Sequence, residues 1–240
     1  VKKAKNTVNY VVNGSLGKLG LQLRRLPSPE PTELPPAPQP ELPEIKAYDP
    51  TPFIWLSAMG IKTVLDIGAE TGHFSEQIRQ ALPIAQIIAF EPHQDRYKKL
   101  VQSGEKLRYF KAHNIALSNK VHKIKLDHSR SASKSSADIS AQRLDDLELK
   151  FAKPLLIKVS ANNMETKIIE GGRETIAKAS AVLAEVNFAG PGRGHSSFDE
   201  IYTRLQKLGF EFHGHLSQNI SKTDGSVTNA LAIFKKDTDG

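Results

Sequence analysis

The chain of 240 residues contains no cysteine. Disulfides, thiolate nucleophiles and cysteine-based zinc sites are therefore excluded, and a reducing compartment fits. Long apolar runs are missing too. No stretch reaches the roughly 18 residues that a membrane span requires, and the first residues lack the apolar core of a signal peptide. The expectation is a cytoplasmic protein. Acids are absent from the first 26 residues, which carry Lys2, Lys3, Lys5, Lys18, Arg24 and Arg25. The formal net charge of +7 is largely a property of that segment. Such a basic tail is either a solubilising arm or a contact for an anionic surface.

What is present divides the chain into three zones. Residues 1–26 place Val8, Val12, Leu16, Leu19, Leu23 and Leu26 at helical spacing, interrupted by Gly14, Gly17 and Gly20. A marginal amphipathic helix is expected there, able to touch the inner face of a membrane as a peripheral contact. Residues 27–52 hold ten of the fourteen prolines and read as a semi-rigid spacer. From residue 53 to 240 the pattern is that of an α/β domain. Short apolar runs (KTVLDIG, AQIIAFEP, LRYFKAHNIAL, PLLIKVS, AVLAEVNF) alternate with amphipathic stretches of helical period, which implies a parallel sheet with crossover helices. VHKIKLDH predicts an extra strand, SRSASKSSADIS a polar loop, NMETKIIEGGRETIAKAS a helix, and FEFHGH with ALAIFKK a closing antiparallel pair. Ser197 and Glu200 form the sequence signature of a capping box.

The chemistry concentrates in TVLDIGAETGHFS, residues 63–75. Asp66 ends an apolar strand, where an acid is costly unless something offsets its desolvation. A ligand is the expected partner. Gly68 and Gly72 permit a tight turn and a close backbone approach, and the helix that follows points free N–H groups at the same place. Glu91 ends the next strand, 19 residues after Gly72. A carboxylate there accepts hydrogen bonds from the two hydroxyls of a ribose. The glycine pattern of nicotinamide sites, G-x-G-x-x-G, is absent, and an acid at the strand end repels a pyrophosphate. A cationic nucleoside cofactor, S-adenosylmethionine, fits better.

Several segments in this order resemble the FkbM-type class I methyltransferases: TVLDIGAETGHFS, IIAFEPHQDRYKKL, NIALSN, RLDDL, LLIKVSANNMETKIIEGG and VLAEVNF. The resemblance spans about residues 60–235. It implies a Rossmann-like fold with a mostly parallel seven-stranded sheet and helices on both faces. It also implies S-adenosylmethionine as cofactor and O-methylation of a sugar, glycan component or small natural product. Cofactor contacts are expected from Asp66, Gly68, Ala69, Glu70, Gly72, Phe74, Glu91, Pro92, Asn114 and Ala116. Two departures stand out. Glu70 replaces an asparagine of the family loop. After the fourth family strand, Ser160 replaces an aspartate and Asn163 a glycine, while Lys158 and Glu165 remain. Asn163 can take the left-handed conformation that a glycine would.

Ser160, Glu165 and His195 are the candidate catalytic residues, with His73 and His113 as further candidate bases. Glu185 lies within an apolar strand. It is either a functional carboxylate or the partner of Lys158 or Arg173. No metal site is expected, since no ligand spacing supports one. Basicity alone does not favour nucleic acid as a partner, because no aromatic stacking motif accompanies it. A small-molecule or glycan acceptor is expected. The alternative is a divergent member that serves as a binding module, motivated by Ser160, Glu70 and the proline-rich spacer.

Overall fold

The computed structural model describes residues 53–125, 138–188 and 196–236. The basic leading segment, the proline-rich spacer and His195 lie outside the described residues. In chain order the elements are α1 (Ile54–Ala58), β1 (Thr63–Ile67), α2 (His73–Ala81), β2 (Gln86–Phe90), α3 (Gln94–Gly104), β3 (Phe110–His113), β4 (Ala116–Leu117), β5 (His122–Lys125) and β6 (Asp138–Gln142). They continue with β7 (Leu155–Val159), α4 (Glu165–Gly171), α5 (Arg173–Ile176), β8 (Ala181–Asn187), α6 (Phe198–Gln206), β9 (Glu211–Ile220) and β10 (Val227–Lys235).

The main sheet has seven strands in the order β3-β2-β1-β7-β8-β10-β9. Strands β3, β2, β1, β7 and β8 pair in parallel, and β10 joins antiparallel between β8 and β9. This is the Rossmann-like α/β arrangement expected. β1 and β7 are buried along their whole length, as central parallel strands must be. Successive side chains alternate between the faces. On one face Leu65, Ile67, Ile157, Val159, Val182 and Ala184 pack against Ile168 and Ile169 of α4 and Ile201 and Leu205 of α6. On the other, Val64, Leu156, Ala181 and Leu183 pack against Leu56 of α1 and Ile78 of α2.

Three local expectations change. LRYFKAHNIAL is not one strand. The chain leaves the main sheet after His113, and Ala116–Leu117 enter a separate three-stranded sheet, β4-β6-β5. There the VHKIKLDH strand pairs with β6, so residues 138–140 are strand rather than polar loop. The predicted helix after β7 is two short helices, α4 and α5, joined at Gly172. The capping box forms as expected, with the Ser197 hydroxyl accepting from the Glu200 N–H.

Small residues set the fit between layers. A Cβ on Gly171 would stand 2.0 Å from the Ser118 carbonyl oxygen, so α4 touches the turn after β4 directly. Asn119 next door donates to Glu170 at 3.0 Å, and Arg204 of α6 donates to the same carboxylate at 2.8 Å. The ALSN and EGG segments thus meet each other. Gly171→Ala is expected to lower the unfolding free energy by about 3 kcal/mol through overpacking. Gly209→Ala, at φ 83° with open space around it, should lose only about 1 kcal/mol. Urea denaturation of the two variants checks this ranking.

Candidate functional site

Asp66 is the second-to-last residue of β1 and Lys158 the second-to-last of β7. The strands pair in parallel with these two residues opposite each other, so both side chains leave the same face. Lys158 Nζ donates to Asp66 Oδ1 at 3.0 Å and to the Gly68 carbonyl at 2.7 Å. Ser75 Oγ donates to Asp66 Oδ2 at 2.7 Å. Asp66 is 0% exposed and Lys158 6%. The desolvation of Asp66 is therefore offset inside the protein by a lysine and a hydroxyl, partners that its position alone did not imply. The Lys158 ammonium also stands 5.5 Å from the centroid of the Phe74 ring.

This pair fixes the glycine loop. Gly68 has φ 74°, and a Cβ there would lie 1.8 Å from the Ser160 carbonyl oxygen. Only glycine lets the β1 loop pass so close to the end of β7. Ala69 is buried, and Gly72, at φ 98°, precedes α2. Glu70 adopts φ 50°, a left-handed conformation uncommon for a glutamate and natural for the asparagine it replaces. Its carboxylate reaches Arg96 of α3 at 3.2 Å.

Glu91 lies just beyond β2 and is 2% exposed. The Glu70 N–H donates to its Oε2 at 2.9 Å and the His93 N–H to its Oε1 at 2.8 Å. Each oxygen is oriented and keeps a free lone pair. Burial pushes the Glu91 carboxyl above the ordinary glutamate range, opposed by the two N–H groups and Arg96 and reinforced by Glu70. Asn114 donates to the Glu91 and Pro92 carbonyls at 2.8 and 3.0 Å, locking the segment after β2. Ala116 is buried in β4. A loop of small residues beside a fixed, buried, two-pronged acceptor fits the nucleoside of S-adenosylmethionine. Glu91 would hold the ribose, with Gly68, Ala69 and Glu70 giving the backbone its close approach.

The neighbouring strand ends carry a second group. Ser160 Oγ donates to Glu185 Oε2 at 2.5 Å, and Asn229 Nδ2 donates to Glu185 Oε1 at 3.0 Å. Glu185 is half-buried, and among the described residues no lysine or arginine lies in ion-pair contact with it. The pairing of Glu185 with Lys158 or Arg173 is not what the structure shows, because Lys158 serves Asp66. Glu165 starts α4 and is 1% exposed; its Oε1 accepts from the Ala161 N–H at 2.7 Å. That bond closes the turn through Asn162 and Asn163, both left-handed at φ 46° and 73°. Burial pushes the Glu165 carboxyl up, and the nearby Glu185 adds to the rise.

The histidines stand apart. His73 is exposed and contacts Gln77. His113 ends the edge strand β3, four strands from β8 in the sheet order, and stacks on Phe90 at 5.3 Å. Burial lowers its pKa, and Lys111 lowers it further. Past β8, Phe188 is 39% exposed and stacks on Phe198 at 5.7 Å. No group of His, Cys, Asp and Glu able to hold a metal occurs among the described residues.

The sequence reading passed over Ser75, Arg96, Asn229 and the Asp66–Lys158 pairing. Lys158 inside PLLIKVS was the available signal, since a lysine in a buried strand requires an acid on a neighbouring one.

The sequence profile described as the Methyltransferase FkbM domain matches residues 66–212, more than half of the chain. No curated protein matches the chain in sequence. Among solved structures, the chain is similar to the methyltransferase FkbM from Methylobacillus flagellatus KT. The identity there is 13% and the TM-score 0.49, over 73% of this chain and 43% of that one. The chain thus spans less than half the length of that relative. It is also similar to magnesium protoporphyrin IX methyltransferase from Synechocystis PCC 6803, crystallised with bound S-adenosylmethionine. Here the identity is 14% and the TM-score 0.46, over 78% of this chain and 76% of that one.

A double-mutant cycle tests the internal role of Asp66. Lys158→Ala is expected to cost about 3–5 kcal/mol by leaving Asp66 buried and unpaired. Adding Asp66→Asn to Lys158→Ala should restore most of that loss in urea denaturation. If the two losses simply add, the carboxylate is not balanced by Lys158.

Proposed function

The chain belongs to the FkbM methyltransferase family, whose cofactor is S-adenosylmethionine, and from that premise we propose that it O-methylates a hydroxyl of a sugar, glycan component or small natural product. The observation that carries this reading is Glu185. It is a carboxylate near the end of β8 with both oxygens oriented by neutral donors, Ser160 and Asn229, and among the described residues no lysine or arginine forms an ion pair with it.

Bound S-adenosylmethionine supplies an electrophilic methyl group on a sulfonium. The protein aligns an acceptor with it and excludes water. In this reading Glu185 would take the proton of the acceptor hydroxyl as that oxygen receives the methyl group, whose bond to the sulfonium sulfur breaks to leave S-adenosylhomocysteine. Ser160, in the place of a family aspartate, is a positioning residue that holds one oxygen of that base. Asn229 holds the other. Glu165 shapes the turn after β7, and burial pushes its carboxyl above the ordinary glutamate range.

The test is turnover of methyl-labelled S-adenosylmethionine with a panel of methyl glycosides, oligosaccharides and phenols, read as S-adenosylhomocysteine formed. Methyl transfer to oxygen is expected. Glu185→Gln should lower kcat at least about 100-fold, the scale of a lost general base, while cofactor affinity stays unchanged. Cofactor affinity in the parent should fall on acidification at a higher pH than for an ordinary carboxylate, because protonation of Glu91 removes its acceptor and its pKa is raised. Transfer to amines alone would overturn O-methylation. Cofactor binding with no transfer to any acceptor would favour a binding module.

A further inference from the structure

In a parallel sheet the loops before the strands gather at one end and the cofactor loops at the other. The segment before β1, the α2–β2 loop and the α3–β3 loop therefore share the amino end, remote from Gly68 and Glu91. This end holds a hollow of about 870 Å³, walled mainly by apolar groups of Ile61, Leu82, Pro83, Ile84 and Phe110. Ile84 is 83% exposed and Tyr109 57% exposed. Tyr109 is held at φ 55°, a conformation unfavourable for an aromatic residue, and the Arg108 guanidinium lies 5.5 Å from its ring. Folding gains nothing from an isoleucine and a tyrosine presented to water at adjacent loop tips.

The rim of the hollow is cationic. Lys62 and Lys111 line it, and Lys106, Arg108 and Lys153 are exposed on the described loops that lead into β3 and β7, where Glu105 and Glu148 are exposed acids. Exposed apolar and aromatic tips ringed by lysine and arginine match a bilayer interface. The apolar groups enter the boundary between headgroups and acyl chains, and the cations meet lipid phosphates. A nucleic acid or acidic polysaccharide would use the cations and leave Ile84 in water.

We propose that the amino end of the sheet docks on an anionic lipid bilayer through Ile84 and Tyr109, with Lys62, Arg108 and Lys111 against the headgroups. This contact uses no residue of the basic leading segment, and it does not rest on the chemistry at the carboxyl end, which it leaves facing away from the lipid.

The absence of cysteine permits a direct test in the full chain. Ile84→Cys and, separately, Thr223→Cys at the β9–β10 turn each create a single thiol for an environment-sensitive fluorophore. Vesicles of phosphatidylcholine, with and without a minority of phosphatidylglycerol, are the probe. With phosphatidylglycerol present, the label at position 84 should brighten and shift to the blue while the label at 223 stays unchanged. Neither should respond to phosphatidylcholine alone. Lys62→Glu with Lys111→Glu should weaken vesicle partition about tenfold or more, given the contribution of each cation near an anionic surface. Thermal melts and cofactor titration of these variants verify that they are folded. No binding, or binding without a response at position 84, overturns the proposal; the second result would assign the contact to another segment. Heparin or RNA reproducing the response at 84 would also overturn it.

Discussion

The ion pair between Asp66 and Lys158 is the constraint on which the rest of the candidate site depends. It joins the ends of the two central strands in a region with almost no water, where neither charge is tolerable alone. Because Lys158 also holds the Gly68 carbonyl, the pair sets the course of the glycine loop as well as the contact between the strands. The loop can follow that course only because residue 68 lacks a Cβ. Asp66, which reads as a ligand contact in sequence, is here held by internal partners. Glu91 and the loop backbone offer further acceptor groups to a cofactor.

With Lys158 committed to Asp66, the next carboxylate along the sheet, Glu185, is held among the described residues by neutral groups, Ser160 and Asn229. A serine at position 160 is compatible with this arrangement: it donates to Glu185, where an aspartate would add a second negative charge beside it. The buried Glu165 completes the arrangement from the opposite side by fixing the turn with one oxygen. Two acids in different surroundings thereby acquire different roles.

The parallel core was legible from sequence because buried strands impose continuous apolar runs, and PLLIKVS and AVLAEVNF fall where β7 and β8 lie. The capping box of α6 and the closing hairpin were legible from local chemistry. The second sheet was not. β4 has only two residues, and its partner β6 arrives from 20 residues further on, so no local period marks it. At the site, glycine spacing and Glu91 were legible in the sequence, but the internal partners of Asp66 were not. Asp66 and Lys158 are 92 residues apart, and only the register of β1 against β7 brings them together. Glu70 was legible as an anomaly and not as a cause: its left-handed backbone and its bond to Arg96 exist only in three dimensions.

The most direct test compares two affinities for S-adenosylmethionine by titration calorimetry, one for Asp66→Asn, in which Lys158 still holds the Gly68 carbonyl, and one for Glu91→Gln. If Asp66 acts through the loop and Glu91 holds the ribose, the folded Asp66→Asn variant binds within a few-fold of the parent, while Glu91→Gln loses at least about tenfold, the scale of a charge-assisted hydrogen bond. Loss of binding in folded Asp66→Asn, with Glu91→Gln unaffected, would contradict this and return Asp66 to the role of direct cofactor ligand.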